Sequence, residues 1–402
     1  MRISTSMMYD MGIARINEQQ SALARTQQEV ATGRRIVTPS DDPIGASSAM
    51  NVSGSDAQNS QFSVNRSSAI SSLALEDGIL QGVTELIQDV KTSVIAVGNP
   101  TLGDSERGFM ATELRARFEQ LLGYANSTDG TGNYLFSGYQ SGTVPFSASG
   151  TSAAYAGDAG SRQLQVASGR RLAVNDSGLD VFQNIRAGNG SFTTAAAAGN
   201  TGSGLVSTGS VLDPASLTRH DYQINFSVVA GVTTYSVVDT TAGSTLSSGN
   251  PYTSGNAIAF DGLQFEVSGS PANGDQFSVA PSPNQSIFQT LGDLIDLLNT
   301  PVVGAAGAAS LSNGLTAANS NLDNALDNVL TVRAAVGSRL HELDALDVVG
   351  DDLHLQYQKT LSELQDTDYN KALSTLAQQQ TGLEAAQKSF VKVMGLSLFN
   401  YL

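Results

Sequence analysis

Three kinds of stretch follow one another along this chain. From about Met7 to Asn126 apolar residues recur at helical spacing with few prolines. From about Asp129 to Pro283 short alternating runs lie among Gly, Ser and Thr, and from Asn284 onward the helical spacing returns. Near the start, Ile13, Ile16, Gln20, Leu23, Gln27 and Val30 are separated by three or four residues, the a/d rhythm of a coiled coil. Near the other end Leu376, Gln380, Leu383, Gln387, Phe390 and Met394 repeat that rhythm. Both seams interleave apolar residues with Gln. A Gln at such a position fixes register, because a slipped partner leaves its amide buried without a hydrogen bond. The two seams look like partners, although each also fits an amphipathic helix packed on its own domain.

Longer stripes keep the same rhythm. Leu80, Val83, Ile87, Val90, Val94 and Val97 form one, and Leu322, Ala325, Val329, Val332 and Val336 form another. No proline interrupts Ala309 to Gln365, which predicts a helix about 85 Å long at roughly 1.5 Å per residue. Gly337 and Gly350 mark places for small breaks.

The middle predicts β structure. YQINFSVV (Tyr222 to Val229) and TTYSVVD (Thr233 to Asp239) flank a short Ala-Gly turn and predict a hairpin. FDGLQFEVSG (Phe260 to Gly269) alternates in the same way. The helix-β-helix order predicts an α+β protein, an elongated antiparallel helical rod formed by the N- and C-terminal segments with β-rich domains inserted at the far tip. The expected divisions are 1–44 and 366–402 as terminal coiled-coil segments, 45–130 and 284–365 as the halves of the rod, 131–186 as a first β-rich segment and 187–283 as a second, inserted β domain.

Between the first seam and the next helix stands ATGRRIVTPSDDPIGA (Ala31 to Ala46). Gly33 suits a helix C-terminal cap with Arg34 and Arg35 beside the last carbonyls. Pro39 and Pro43 prevent simple continuation, and Ser40, Asp41 or Asp42 can cap the second helix.

Charge and chemistry narrow the function by exclusion. With 21 basic against 37 acidic side chains, a net of −16, the chain repels a phosphate backbone, so nucleic acid is not an expected partner. The absence of cysteine removes disulfides and thiolate chemistry. No run approaches the roughly 18 to 20 apolar residues of a membrane span, and MRISTSMMYDMGIARINEQQ lacks the layout of a cleaved secretory signal. There is no dinucleotide fingerprint, phosphate loop or nucleophile elbow. His220, His341 and His354 are scattered, and His354 beside Asp351 and Asp352 reads as a solvated helix face. No catalytic, cofactor-binding or metal-binding residue is expected, and the chain does not read as an enzyme.

One family matches several separate stretches. GRRIVTPSDDP resembles the segment after the first helix of flagellins and their axial relatives. MRISTSMMYD, and the prolines flanking Ser-Asp-Asp, are closer to the hook-associated proteins of the hook-filament junction than to flagellin. GNYLFSGYQSGTVPF (Gly132 to Phe146), YAGDAGSRQLQV (Tyr155 to Val166) and LAVNDSGLDVF (Leu172 to Phe182) are similar to the first β segment of those proteins. The closing SLFNYL resembles their C-terminus, and DGLQFEVSGSPANGDQFSVAP (Asp261 to Pro281) resembles a β element of hook-associated proteins generally.

This resemblance implies a structural subunit of the bacterial flagellum, between hook and flagellin filament, exported through the flagellar type III apparatus without a cleaved signal and standing outside the cell. Its implied partners are the hook-side junction protein (the first hook-associated protein), flagellin, further copies of itself in a helical ring, and an export chaperone at the C-terminal segment. Residues 1–44 and 366–402 would be disordered in the monomer and coil together on assembly. Leu398, Phe399, Tyr401 and Leu402 would then be buried by neighbouring subunits. A flagellin filament subunit and a secreted β-rich adhesin or carbohydrate-binding protein are the alternatives.

Overall fold

The computed structural model describes residues 5–395, and the side chains of 7–393. Leu398, Phe399, Tyr401 and Leu402, and the side chain of Met394, lie outside the described residues. Among those described are seven α-helices: α1 (Thr5–Thr32), α2 (Pro43–Val97), α3 (Asp104–Ala125), α4 (Gly178–Phe182), α5 (Ile287–Asn299), α6 (Gly304–Gln365) and α7 (Tyr369–Gly395). The strands all fall between α3 and α5. The chain forms two compact units, divided within α2 after Asn65 and within α6 after Asp344.

The first unit joins the two chain ends. α1 and α7 run antiparallel, with Tyr9 against Phe390 at a ring-centroid separation of 5.6 Å and Gly33 beside the Tyr369 hydroxyl at the other end of the pair. The early part of α2 meets the last part of α6 through polar groups: Asn59 donates to the Gly350 carbonyl at 2.7 Å, and Asp56 accepts from Gln358 at 3.1 Å and pairs with His354 at 2.6 Å.

The second unit holds the large core. Leu80, Val83, Ile87, Val90, Val94 and Val97 are all buried, as are Leu322, Ala325, Val329 and Val336, while Val332 is half-buried. Ser286 caps α5 by accepting from the Gln289 amide at 2.9 Å. α5 brings Phe288 into a cluster with Phe118, Phe146 and Phe182, at centroid separations of 5.1 to 6.1 Å. These are edge-on and tilted contacts of the kind aromatic rings favour. α6 runs unbroken through Gly337 and Gly350, where the sequence allowed breaks. A single helical glycine costs only about 1 kcal/mol, and buried Val336 and Leu343 anchor the helix on either side of the first.

Residues 192–281 form two sheets around one core. The first has five strands in the order Ser244–Pro251, Val232–Asp239, Tyr222–Val229, Gln276–Pro281 and Phe192–Ala196. The second pairs Ala257–Phe260 with Leu263–Ser268, which also carries two short strands, Leu205–Val206 and Ser210–Val211. Ile224, Phe226, Phe265, Val267, Phe277 and Val279 share the core. The predicted hairpin is present, with Val229 opposite Val232. Its turn residues, Ala230 at φ 52° and Gly231 at φ 79°, both take the positive φ that a two-residue turn between right-twisted strands requires.

Asparagines of α6 hold this β domain in place. Asn313 accepts from the Val206 amide at 2.9 Å and donates to the Gly204 carbonyl at 3.1 Å. Asn321 accepts from the Gly188 amide at 2.8 Å, and Asn324 donates to the Gly188 carbonyl at the same distance. These bonds pair main-chain groups at the entrance of the insertion, which would otherwise lose water without a partner.

Candidate assembly surface

The face that α1 presents to α7 is built from small residues and amides. Gly12, Ile16, Gln19, Ala22, Leu23, Thr26, Glu29 and Val30 are its buried or half-buried positions, and on α7 these are Ala372, Thr375, Leu376, Gln379, Gly382, Leu383, Ala386 and Phe390. Ile16, Leu23, Val30, Leu376, Leu383 and Phe390 are thus on the mutual face. Ile13, Gln20, Gln27, Gln380 and Gln387 are exposed. On both helices the second column within this chain lies one residue earlier than the seam read from the sequence. The reason is close approach: a Cβ on Gly382 would sit 2.5 Å from Gln19 Nε2, and one on Gly12 would sit 2.7 Å from the Phe390 ring. The signal that could have located this column is the seven-residue recurrence of Gly12, Gln19, Thr26 and Gly33, matched by Ala372, Gln379 and Ala386. The apolar stripe alone points to the larger neighbours.

Close approach of small side chains buries little. Among the described residues the first unit fully buries only Ala49, Phe62 and Ala372 of its apolar side chains. Meanwhile Met7, Met8, Tyr9, Met11 and Ile13 of α1 are exposed, as are Leu373, Val391 and Val393 of α7. Val391 is 69% exposed and Val393 57%. Gln379 Oε1 is buried in the pair with no hydrogen-bond partner among the described residues. A pair with a dry side this thin and an apolar outer side this extensive is suited to receive further helices.

The turn leaving α1 is tightly specified. Gly33 has φ 70°, the left-handed value expected of a helix stop, and its amide donates to Glu29 O at 2.9 Å. Arg34 forms a backbone bridge with Asp366. Arg35 serves the end of α6 rather than that of α1: its amide donates to Gln365 O and its guanidinium to Leu364 O, each at 2.7 Å. That guanidinium also meets Asp42 at 3.1 Å. Asp42 caps α2 by accepting from the Gly45 amide at 2.9 Å. Asp41 accepts from the Thr38 amide at 2.7 Å and pairs with Arg25 at 3.2 Å. The Thr38 amide, helped by Arg25, lowers the Asp41 carboxyl below its usual range. The Gly45 amide and Arg35 do the same for Asp42. In both cases the amide and guanidinium donors favour the ionised carboxylate that holds the turn.

His354 is engaged with Asp56, and among the described residues no group of three His, Asp or Glu side chains could hold a metal. No described helix is long and apolar enough to cross a membrane.

Residues 3–141 match the bacterial flagellin N-terminal helical region, and residues 195–281 match the D2-like domain of flagellar hook-associated protein 1. Flagellar hook-associated protein 3 of Escherichia coli K12 is 31% identical over 400 residues, covering 99% of each chain. Its counterpart from Salmonella typhimurium is 30% identical over the same span, with 99% of each chain covered. The crystal structure of flagellar hook associated protein-3 from Legionella pneumophila superposes with a TM-score of 0.75 at 32% identity, covering 78% of this chain and 98% of that one. That of FlgL from Xanthomonas campestris gives 0.71 at 29% identity, covering 76% and 98%.

Proposed function

The chain belongs to the flagellar hook-associated protein 3 family, and on that premise we propose that its terminal helices are the interlocking part of a junction subunit. It is a structural subunit of the bacterial flagellum at the junction of hook and filament. Its neighbours on this reading are the hook-side junction protein, flagellin and further copies of itself, with a chaperone holding the C-terminal segment before export by the flagellar type III route.

The observation that carries this reading is the imbalance on α1 and α7, where exposed apolar side chains far outnumber buried ones. Burying a side chain of that kind is worth roughly 1.5 to 3 kcal/mol, against an ordering cost of about 1 to 2 kcal/mol per residue. Helices that bury so few side chains within one chain gain their order where several subunits contribute surface. Residues 1–44 and 366–402 accordingly act as assembly segments, with Ile13, Gln20, Gln27, Gln380 and Gln387 turned to neighbours while Ile16, Leu23, Val30, Leu376, Leu383 and Phe390 keep the pair together. Leu398, Phe399, Tyr401 and Leu402, outside the described residues, are on this reading further apolar side chains for neighbouring subunits to cover.

Replacing Ile13 and Val391 together with Asp tests it, because both are exposed in the single chain. The double variant is expected to fold and be exported as before, and to leave flagellin shed into the medium instead of attached. Attached filaments in normal number would refute the reading. Amide exchange on the purified chain is expected to be fast throughout α1 and α7 and slow at Leu80 to Val97.

A further inference from the structure

The segment leading from the 3-10 turn Pro214–Ser216 into the strand Tyr222–Val229 lines a cavity of about 290 Å³ in the β domain. Phe192, Leu263 and Val279, all buried members of the domain core, supply an apolar floor. Arg186, Arg219 and His220 supply cationic or hydrogen-bonding groups at the same cavity.

Arg219 has φ 60°, a conformation few non-glycine residues adopt and one that turns often explain. Among the described residues Ala230 and Asp261 share it, and each precedes a glycine in a two-residue hairpin turn. Arg219 lies in no hairpin. Its conformation is held from both sides: the Thr218 hydroxyl bonds the Tyr222 hydroxyl, and His220 Nδ1 is bonded to Asp239 at 2.7 Å. Tyr222 in turn donates to Asp261 at 2.7 Å. Asp239 and Asp261 are thereby bonded to His220 and Tyr222 of this segment.

The guanidiniums at the cavity are not neutralised. Acidic side chains outnumber basic ones 37 to 21 in this chain, and Arg35, Arg117, Arg170, Arg333 and Arg339 each meet a carboxylate. Arg219 and Arg186 meet none among the described residues; Arg186 instead donates to the Ser282 carbonyl at 2.8 Å, which fixes it at the wall. Guanidiniums prefer planar oxyanions, which they grip with two parallel hydrogen bonds. A small apolar site with a few convergent polar groups is the ordinary form of a ligand pocket.

We propose that this cavity binds a carboxylate or phosphate group carried on a body of about monosaccharide size, with Arg186 and Arg219 taking the anion and the Phe192–Leu263–Val279 floor taking its carbon frame. The anion has two possible sources, a free small molecule or an acidic side chain of another copy of the chain. The proposal is independent of the role given to α1 and α7.

Calorimetric titration of the full chain with glucuronate and citrate tests it, against glucose as the neutral counterpart and sodium chloride at equal ionic strength. Arg219→Gly is the key variant, because glycine accepts the positive φ and the domain keeps its fold while losing the guanidinium. Saturable binding of glucuronate or citrate is expected, absent for glucose, weakened at least tenfold in R219G and R186A, and unchanged in R171A, an exposed arginine outside the cavity. If the anion comes from a second copy, sedimentation at rising concentration shows self-association that citrate competes and R219G removes. The proposal is overturned if neither saturable binding nor Arg219-dependent association is seen, or if R171A weakens binding as much as R219G.

Discussion

Two antiparallel helix pairs in this molecule carry the same three-four rhythm and use it differently. Between α2 and α6 in the second unit, Leu80, Val83, Ile87, Leu322 and Val329 are buried, and the ion pairs Lys91–Asp323 and Asp77–Arg333 bridge the helices. Between α1 and α7 the opposed positions are Gly, Ala, Thr and Gln as often as Leu, so the backbones come close and little apolar area leaves water. Large knobs make a pair that is stable within its own unit, whereas small ones make a pair that is close, weak and open to further partners. The rhythm states that helices pair; the sizes on it state how much that pairing is worth.

The strongest way to break this contrast is at Leu80. Leu80→Ala truncates a fully buried side chain of the α2 stripe and is expected to cost the second unit about 2 to 5 kcal/mol in urea denaturation. Leu383→Ala, at a half-buried position of α7, is expected to cost the free chain about 1 kcal/mol or less. Equal losses would mean that the two pairs are not different in kind.

A smaller effect comes from Glu76, buried on α2 where it faces Asp176 and, beyond that carboxylate, Arg339. Burial, reinforced by the Asp176 charge, pushes its carboxyl from the usual 4.5 up to about 8, and Oε2 has no hydrogen-bond partner among the described residues, as suits a neutral acid. The folded state then holds a proton that the unfolded state has released. The stability this contributes is present below about pH 4.5 and is lost as pH rises toward 8, by at most about 1.4 kcal/mol per pH unit. Glu76→Gln is expected to flatten that part of the stability profile; an unchanged slope would assign it to other groups. Smallest is Ser286→Ala, which removes the cap of α5 and is expected to lower the melting point by the equivalent of about 1 kcal/mol.

Much of the architecture was legible in advance. The stripes on α2 and α6 repeat at a helical period, and the hairpin at Ala230 and Gly231 combines alternation with a turn that only a few residues accept, so both are local signals. The stop at Gly33 and the cap at Asp42 are local as well. The second column of the α1–α7 contact was not legible from the apolar stripe, because small residues leave no hydrophobic trace although they decide how near two helices come. Nor was the partner of Arg35: its bonds to Leu364 and Gln365 join positions more than three hundred residues apart.

By itself, then, the sequence determined where helices and strands run, that the two ends carry matching seams, and which family the stretches around Gly33 and the first β segment resemble. Those properties depend on neighbours within a few turns of the chain. Tertiary structure alone decided that Gly12 and Gly382 bring α1 against α7, that Asn313, Asn321 and Asn324 anchor the β domain, and that Arg186 and Arg219 line one cavity. Each of these depends on groups brought together across the chain, and a hydrogen bond or a close contact between distant residues has no period for a sequence to display.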